Sequence, residues 1–159
     1  MTEDFTFYSE CFPFPNKFSS SCPICDAPNF KENEGCLNCK FQTGSSLEVE
    51  KIKNFKNYIL RGERGKTART NNKNVDLAAK TFRELHQIEP NGFLFSKLMK
   101  SRYIEIVIWV AAYFLTKGNN EAKEILERIV KVNKRYSFTS EMTLKEHSKG
   151  SLGNPFREE

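Results

Sequence analysis

The chain of 159 residues has a formal net charge of +5 and is 38% hydrophobic and 28% charged. This length and balance exclude a globally disordered chain and favour one ordinary domain, or a small module joined to a compact helical one. The N-terminal ten residues include acidic side chains and lack the apolar core of a secretory signal, so we expect a cytoplasmic or nuclear protein.

Four of the five cysteines form two pairs, Cys22 with Cys25 and Cys36 with Cys39, each spaced by two residues. Two such pairs can wrap four thiolates around one ion, so the spacing predicts a tetrahedral site for one Zn²⁺. Because protein sulfur fills all four positions, no place is left for water, and we expect the zinc to be structural. The alternatives are metal-free thiols, two disulfides or an iron–sulfur cluster. The fifth cysteine, Cys11, is expected to be a core residue or an inert thiol, and a reactive thiol or an alternative ligand is the other interpretation.

The segments CPIC and CLNC resemble the two metal-binding knuckles of zinc-ribbon proteins, the class written CPxC…CxxC. The similarity covers residues 20–44 and implies a small β-rich ribbon. The ligands that it implies are Cys22, Cys25, Cys36 and Cys39. Many ribbons have glycine after the second cysteine of each knuckle, where the backbone often takes a positive φ, but here Asp26 and Lys40 occupy these positions. Ribbons of this class are common in nucleic-acid-binding, transcription and translation proteins and in protein-docking modules.

Apolar periodicity predicts a helical region after the ribbon. Ser45 has the spacing of a capping box with Glu48 and should start a helix that stops near Gly62. Later helices are expected at 75–88, 93–117 and 121–135. The apolar 93–117 segment is taken as the central helix, with a break near Ser101, and a buried strand is the alternative. The predicted organisation is an N-terminal zinc-ribbon module at 1–44, a helical domain at 45–136 with a mobile basic linker at 61–74, and a flexible tail at 137–159.

Positive charge is concentrated in the middle of the chain. Residues 1–50 carry a formal net charge of −5, residues 51–80 of +7 and residues 81–159 of +3. Because clustered Lys and Arg side chains bind phosphates, this asymmetry indicates a nucleic-acid contact surface, with an ordinary solvated helix face as the alternative. The candidate contact residues are Lys51, Lys53, Lys56, Arg61, Arg64, Lys66, Arg69 and Lys73.

Together these features favour a non-enzymatic, zinc-containing regulatory protein that binds RNA or DNA. Small basic cysteine-rich viral proteins, including RNA-silencing suppressors, are loosely similar in size and layout. The alternative is a protein-interaction adaptor, whose acidic, aromatic zinc module docks on a partner and whose helical domain self-associates through the apolar 103–115 segment. That segment is too short to cross a bilayer, so no membrane contact is expected. No nucleophile with an acid–base partner can be assembled, and His86 and His147 are expected to be structural.

Overall fold

The computed structural model describes Phe12 and residues 21–28, 30–31, 33–42 and 45–156. In this part of the chain, six α-helices and one 3-10 turn follow the cysteine pairs. The helices are α1 (Ser46–Glu63), α2 (Ala68–Ile88), α3 (Phe93–Ser96), α4 (Ile104–Thr116), α5 (Asn120–Val132) and α6 (Ser137–Ser148), with the 3-10 turn at Lys97–Lys100 between α3 and α4. The predicted helical character is confirmed. A β-rich ribbon is not found among the described residues, where one isolated bridge joins Lys31 and Gly35.

Helices α1 and α2 pack against each other as a hairpin. Only residues 64–67 lie between them, so the prediction of a mobile linker over 61–74 is wrong. The Thr67 hydroxyl caps α2 by accepting from the Thr70 backbone N–H at 3.2 Å. The polar composition was misleading because some polar groups bond within the helix: the amide of Asn74, which is buried, donates to the Thr70 carbonyl at 2.9 Å.

The helix α4 lies at the centre of the helical region. The expected break is confirmed, since the 3-10 turn ends at Lys100 and α4 begins at Ile104. Ile106, Val107 and Val110 are fully buried within the chain, so a helix and not a strand occupies this apolar stretch. The apolar surface that suggested self-association is therefore covered by the chain's own elements.

Residues 137–156 contain a helix and a buried aromatic ring, whereas a flexible tail is expected over 137–159. Helix α6 spans Ser137–Ser148, and beyond it Phe156 is 1% exposed. The Phe156 ring stacks on Phe82 at 4.6 Å between centroids and lies 5.3 Å from Phe55. Composition gave no sign of this helix because α6 buries only Ser140 among its own residues, and the anchor comes eight positions after its end.

The cysteine segment and the helices share one hydrophobic core. Ile24 lies between the two cysteines of the first pair, and Phe41 lies two positions after the last cysteine of the second pair. Both are buried in the same cluster as Ile52 of α1 and Leu98 of the 3-10 turn. None of the helices in the described residues combines the length and hydrophobicity that crossing a membrane requires.

Candidate metal centre and basic surface

The two cysteine pairs form backbone turns with the same hydrogen-bond pattern. In each turn, the first cysteine N–H donates to the carbonyl five residues later, at 3.0 Å for Cys22 and 2.7 Å for Cys36. In each turn, the N–H four residues later donates back to the carbonyl of the first cysteine, at 3.0 and 2.9 Å. This repeated geometry brings both cysteines of a turn to the same side, as a metal-binding knuckle requires.

The residue after each pair adopts the left-handed conformation that ribbons usually assign to glycine. Asp26 has φ 61° and Lys40 has φ 64°, and they are the two non-glycine residues with positive φ in the described part of the chain. Both turns therefore have a left-handed residue directly after the second cysteine although neither has a glycine there. Asp tolerates this region better than Lys does, so the strain is concentrated at Lys40.

The four sulfur atoms are arranged around one point. The Sγ atoms of Cys22 and Cys39 are 3.7 Å apart, those of Cys25 and Cys36 are 3.5 Å apart, and all four lie within 4.8 Å of one another. A tetrahedral ion with metal–sulfur bonds near 2.3 Å places its ligands about 3.8 Å apart, so the spacing fits a single metal ion. All four side chains are buried, so the site is closed to solvent.

The same distances argue against the other interpretations of the cysteines. The thiols are free, and their separations far exceed the roughly 2.05 Å of a disulfide bond. A polynuclear iron–sulfur cluster must fit several atoms between its ligating sulfurs and so needs wider spacing than one ion does.

Hydrogen bonds from neighbouring groups favour the thiolate form of Cys22. Hydrogen bonds from the thiols of Cys25 and Cys39 lower the pKa of Cys22 to about 4, and the bond to Cys22 raises the pKa of Cys39 in turn. The Ile24 backbone N–H lies 3.4 Å from the Cys22 sulfur. The Asn38 side-chain amide lies 3.4 Å from the Cys25 sulfur. Such donors offset the charge that thiolates bring to a metal.

Side chains from the helical region hold both knuckles in place. Lys56 of α1 donates to the Asp26 carboxylate at 2.9 Å and to the Pro23 carbonyl at 2.7 Å. On the other side, Lys97 Nζ donates to the Cys39 carbonyl at 2.8 Å, and the Arg102 backbone N–H donates to the Cys25 carbonyl at 3.0 Å. Sequence analysis missed these contacts because nothing in the sequence near Lys97 or Arg102 marks them as partners of residues some 60 to 80 positions away.

The predicted nucleic-acid contact residues divide into two groups. Three are engaged within the fold: Lys56 is buried against Asp26, Lys51 pairs with Glu84 at 2.7 Å, and Arg64 pairs with Glu105 at 2.8 Å. The other five are exposed and form no ion pair with a residue that the structure describes. These five are Lys53, Arg61, Lys66, Arg69 and Lys73.

Cys11 and most of the aromatic residues before the first cysteine pair lie outside the described residues. Phe12 is described, and its ring packs edge-on against Tyr103 with centroids 6.3 Å apart. The Arg102 guanidinium lies 3.8 Å from the centre of the Phe12 ring. Phe12 thus covers the segment that bonds to the first knuckle.

Comparisons with protein-family models, with curated proteins and with solved structures gave no significant match to this chain.

Proposed function

We propose that the protein binds nucleic acid through the turn end of the α1–α2 hairpin, and that one structural zinc ion fixes the cysteine knuckles beside it. The observation that carries this proposal is a cluster of exposed cations without ion-pair partners among the described residues. The four that lie closest to the turn in the chain are Arg61, Lys66, Arg69 and Lys73.

Zinc is the metal that best fits the four thiolates. Soft sulfur ligands in a tetrahedral, closed arrangement favour Zn²⁺ over harder divalent ions. Because the four protein ligands leave no open position, the ion would supply rigidity and no hydrolytic chemistry. We accordingly keep the prediction that the protein is not an enzyme.

The charge of the hairpin turn supports phosphate binding. Residues 61–73 contain five Lys or Arg side chains against one acid, Glu63. The first turn of α2 contains no acidic residue; Lys66 precedes it and Arg69 lies within it. A helix N-terminus already carries partial positive charge, so cations there work against the stability of the free protein and attract anions. Such a local conflict is typical of a functional surface.

Ion pairs within the fold reduce the number of predicted contact residues that remain available to bind phosphate. Lys56 is buried in an ion pair and cannot reach a phosphate without exposing Asp26. Lys51 and Arg64 would have to exchange carboxylate partners for phosphate. The remaining exposed cations lie on α1, on α2 and in the four residues that join them, and clustered cations of this kind are the electrostatic signature of a nucleic-acid contact.

The decisive experiment is a binding titration with random-sequence single-stranded RNA and duplex DNA over a series of salt concentrations. We expect the logarithm of the affinity to fall linearly with the logarithm of salt concentration. Neutralising four cations that contact phosphates should reduce the slope on DNA by about 3 to 4. The test variant carries Arg61→Gln, Lys66→Gln, Arg69→Gln and Lys73→Gln.

A control variant removes the same amount of charge from the C-terminal part of the chain. Its four exposed lysines lie in or beside α5 and α6, and its changes are Lys131→Gln, Lys134→Gln, Lys145→Gln and Lys149→Gln. We expect it to keep most of the salt dependence. Equal losses in both variants would mean that net charge alone drives binding, and absence of binding at low salt would overturn the proposal.

A protein-docking adaptor is the second candidate, favoured by two exposed apolar side chains, one in the second knuckle and one at the start of α3. Leu37, between the two cysteines of that knuckle, is 86% exposed, and Phe93 is 66% exposed. Lys97 joins the two regions, since its Nζ lies 2.8 Å from the Cys39 carbonyl and 4.6 Å from the centre of the Phe93 ring. A Leu37→Ser, Phe93→Ser variant that binds nucleic acid normally and no longer self-associates in light scattering would support this second role.

A further inference from the structure

A cavity of about 230 Å³ lies beside α4 and α6, away from the cysteines, and Glu63 from the α1 side of the basic turn is one of its lining residues. Trp109, Ile108 and Ala112 of α4 form one wall, and Leu152 and Pro155 from the segment after α6 form another. The lining residues include two with carboxylates, Glu63 and Glu105, and one with a phenolic hydroxyl group, Tyr136. Among the described residues that line it, none is a lysine or an arginine.

Glu105 is the unusual residue of this cavity, because a charged side chain only 1% exposed normally has both oxygens paired. Its Oε1 accepts from Arg64 Nε at 2.8 Å and from the Tyr136 hydroxyl at 3.2 Å. Its Oε2 accepts no hydrogen bond from any residue that the structure describes. A buried carboxylate oxygen in this condition can accept a hydrogen bond from a further donor.

Trp109 is held rigidly at the edge of the cavity. Its indole Nε1 donates to Glu63 Oε1 at 2.7 Å, and its ring stacks with Phe156 at 5.8 Å between centroids and an angle of 28°. The hydrogen bond therefore brings the Glu63 carboxylate next to an aromatic surface. Aromatic rings and carboxylates together bind organic cations, through the ring quadrupole and through charge-assisted hydrogen bonds.

We propose that this cavity binds a small organic cation, with an ammonium or guanidinium head near Glu105 and Glu63 and an apolar body against Trp109 and Leu152. The head group supplies the donor that Glu105 Oε2 lacks. Two carboxylates line the cavity; the Arg64 guanidinium pairs with Glu105, and the Arg135 guanidinium lies 5.4 Å from the centre of the Tyr136 ring. This proposal stands independently of nucleic-acid binding.

The test uses three probes of similar size and different charge: benzylammonium, benzyl alcohol and benzoate. The chain has one tryptophan, so a ¹⁵N-labelled sample gives one indole N–H signal, which reports directly on this cavity. We expect benzylammonium to shift the signal saturably at millimolar concentration. Benzyl alcohol should bind about tenfold more weakly, since it lacks the ionic hydrogen bond, and benzoate should not bind.

Two variants assign the charge recognition. Glu63→Gln removes an exposed carboxylate and should weaken benzylammonium binding about tenfold, whereas the control Glu124→Gln, on an exposed face of α5, should not change it. Glu105→Gln should abolish the preference for the cation; if that variant fails to fold, Glu63→Gln decides alone. No saturable shift with benzylammonium, equal affinity for benzyl alcohol, or unchanged affinity in Glu63→Gln would each overturn the proposal.

Discussion

The Lys56 ammonium lies 2.9 Å from the Asp26 carboxylate, and the two side chains are only 4% and 8% exposed. Lys56 Nζ also donates to the Pro23 carbonyl, so one α1 side chain holds the first knuckle at two points. Burial raises the pKa of Asp26, and the nearby Lys56 charge opposes this shift. Lys56, which the sequence assigned to a nucleic-acid surface, therefore links the candidate metal centre to the hairpin inside the protein.

We expect Lys56→Met to lower the free energy of unfolding by about 3 to 5 kcal/mol, because it leaves the Asp26 carboxylate buried without its partner. Denaturant unfolding measures this change. Lys53→Met, at an exposed position of the same helix, is the control and should change stability by about 0.5 kcal/mol or less.

A double variant separates the ion pair from the packing of the lysine stem. Lys56→Met combined with Asp26→Asn removes both charges and should recover part of the loss, since the uncompensated carboxylate is gone. Strictly additive losses for the two changes would contradict the coupling that the 2.9 Å contact implies.

Lys40→Gly should stabilise the protein by up to about 1 kcal/mol, although it shortens a side chain at the metal centre. Lys40 has φ 64°, which costs a lysine more than it costs a glycine, and its side chain makes only an exposed bond to the Leu37 carbonyl. Lys134→Gly, at an exposed position without positive φ, should instead destabilise by roughly 0.4 to 1 kcal/mol. Thermal unfolding of the metal-loaded variants measures both changes in stability. A destabilising effect of Lys40→Gly would mean that the positive φ at Lys40 does not lower the stability of the protein.

Metal analysis of the purified protein should give one zinc ion per chain. Chelation should make four further thiols reactive towards a thiol reagent and should lower the unfolding midpoint, while far-UV circular dichroism keeps most of its helical signal. The helices keep most of their signal because the six described helices all lie after the cysteine pairs, and the described knuckle residues contain no helix.

Two cysteine variants provide the control for metal binding. Cys22→Ser removes a ligand and should lose the metal, and Cys11→Ser should keep one ion per chain. Retention of full stability and protected thiols after chelation would contradict a structural metal.

The metal centre was predictable because its information is local. The spacing of two cysteine pairs is enough to specify four ligands, and the turn geometry follows from residues 22–27 and 36–41 alone. The Ser45 cap was equally local: its hydroxyl accepts from the Glu48 N–H at 3.1 Å, as the capping box predicts. In these cases the interacting residues lie at most 17 positions apart in the chain.

The errors arose where distant residues decide the role of a side chain. Lys56 and Lys53 are equivalent by composition, and only the approach of the first knuckle buries Lys56. Phe156 lies in a polar, glycine-containing segment, and only the cluster formed by Phe55, Phe82 and Trp109 shows that it belongs to the core. Neither contact leaves a periodic signal in the sequence.

Tyr103 should ionise late when the protein is titrated with base. Burial raises its pKa from the usual 10 to about 12, so above pH 10 the folded protein binds more protons than the unfolded chain. The contribution of this group to stability is therefore complete below pH 10 and is lost as the pH rises towards 12. Tyrosinate absorbance follows the ionisation, and denaturant unfolding at several pH values follows the stability.

Tyr103→Phe is the matched variant for this titration, because it keeps the ring that packs on Phe12 and removes the proton. Part of the late absorbance change should disappear, and the alkaline loss of stability should become shallower. An unchanged titration curve would mean that Tyr103 is not the group that ionises late.

Phe156→Ala should cost about 3 to 5 kcal/mol, the range for deleting a fully buried aromatic ring. The ring is 1% exposed and contacts Phe82, Phe55 and Trp109, so its removal opens the core between the hairpin and α4. Denaturant unfolding followed by Trp109 fluorescence gives both the loss of stability and the changed environment of the single tryptophan.

Phe138→Ala makes the same chemical change in the same C-terminal region, but its ring is 71% exposed. We expect a change of about 0.5 kcal/mol or less for this variant, as for other exposed positions. The contrast tests whether the C-terminal segment belongs to the folded core. Equal small effects in both variants would mean that the segment beyond α6 detaches freely, and its loss would also remove Leu152 and Pro155 from the wall of the cation cavity.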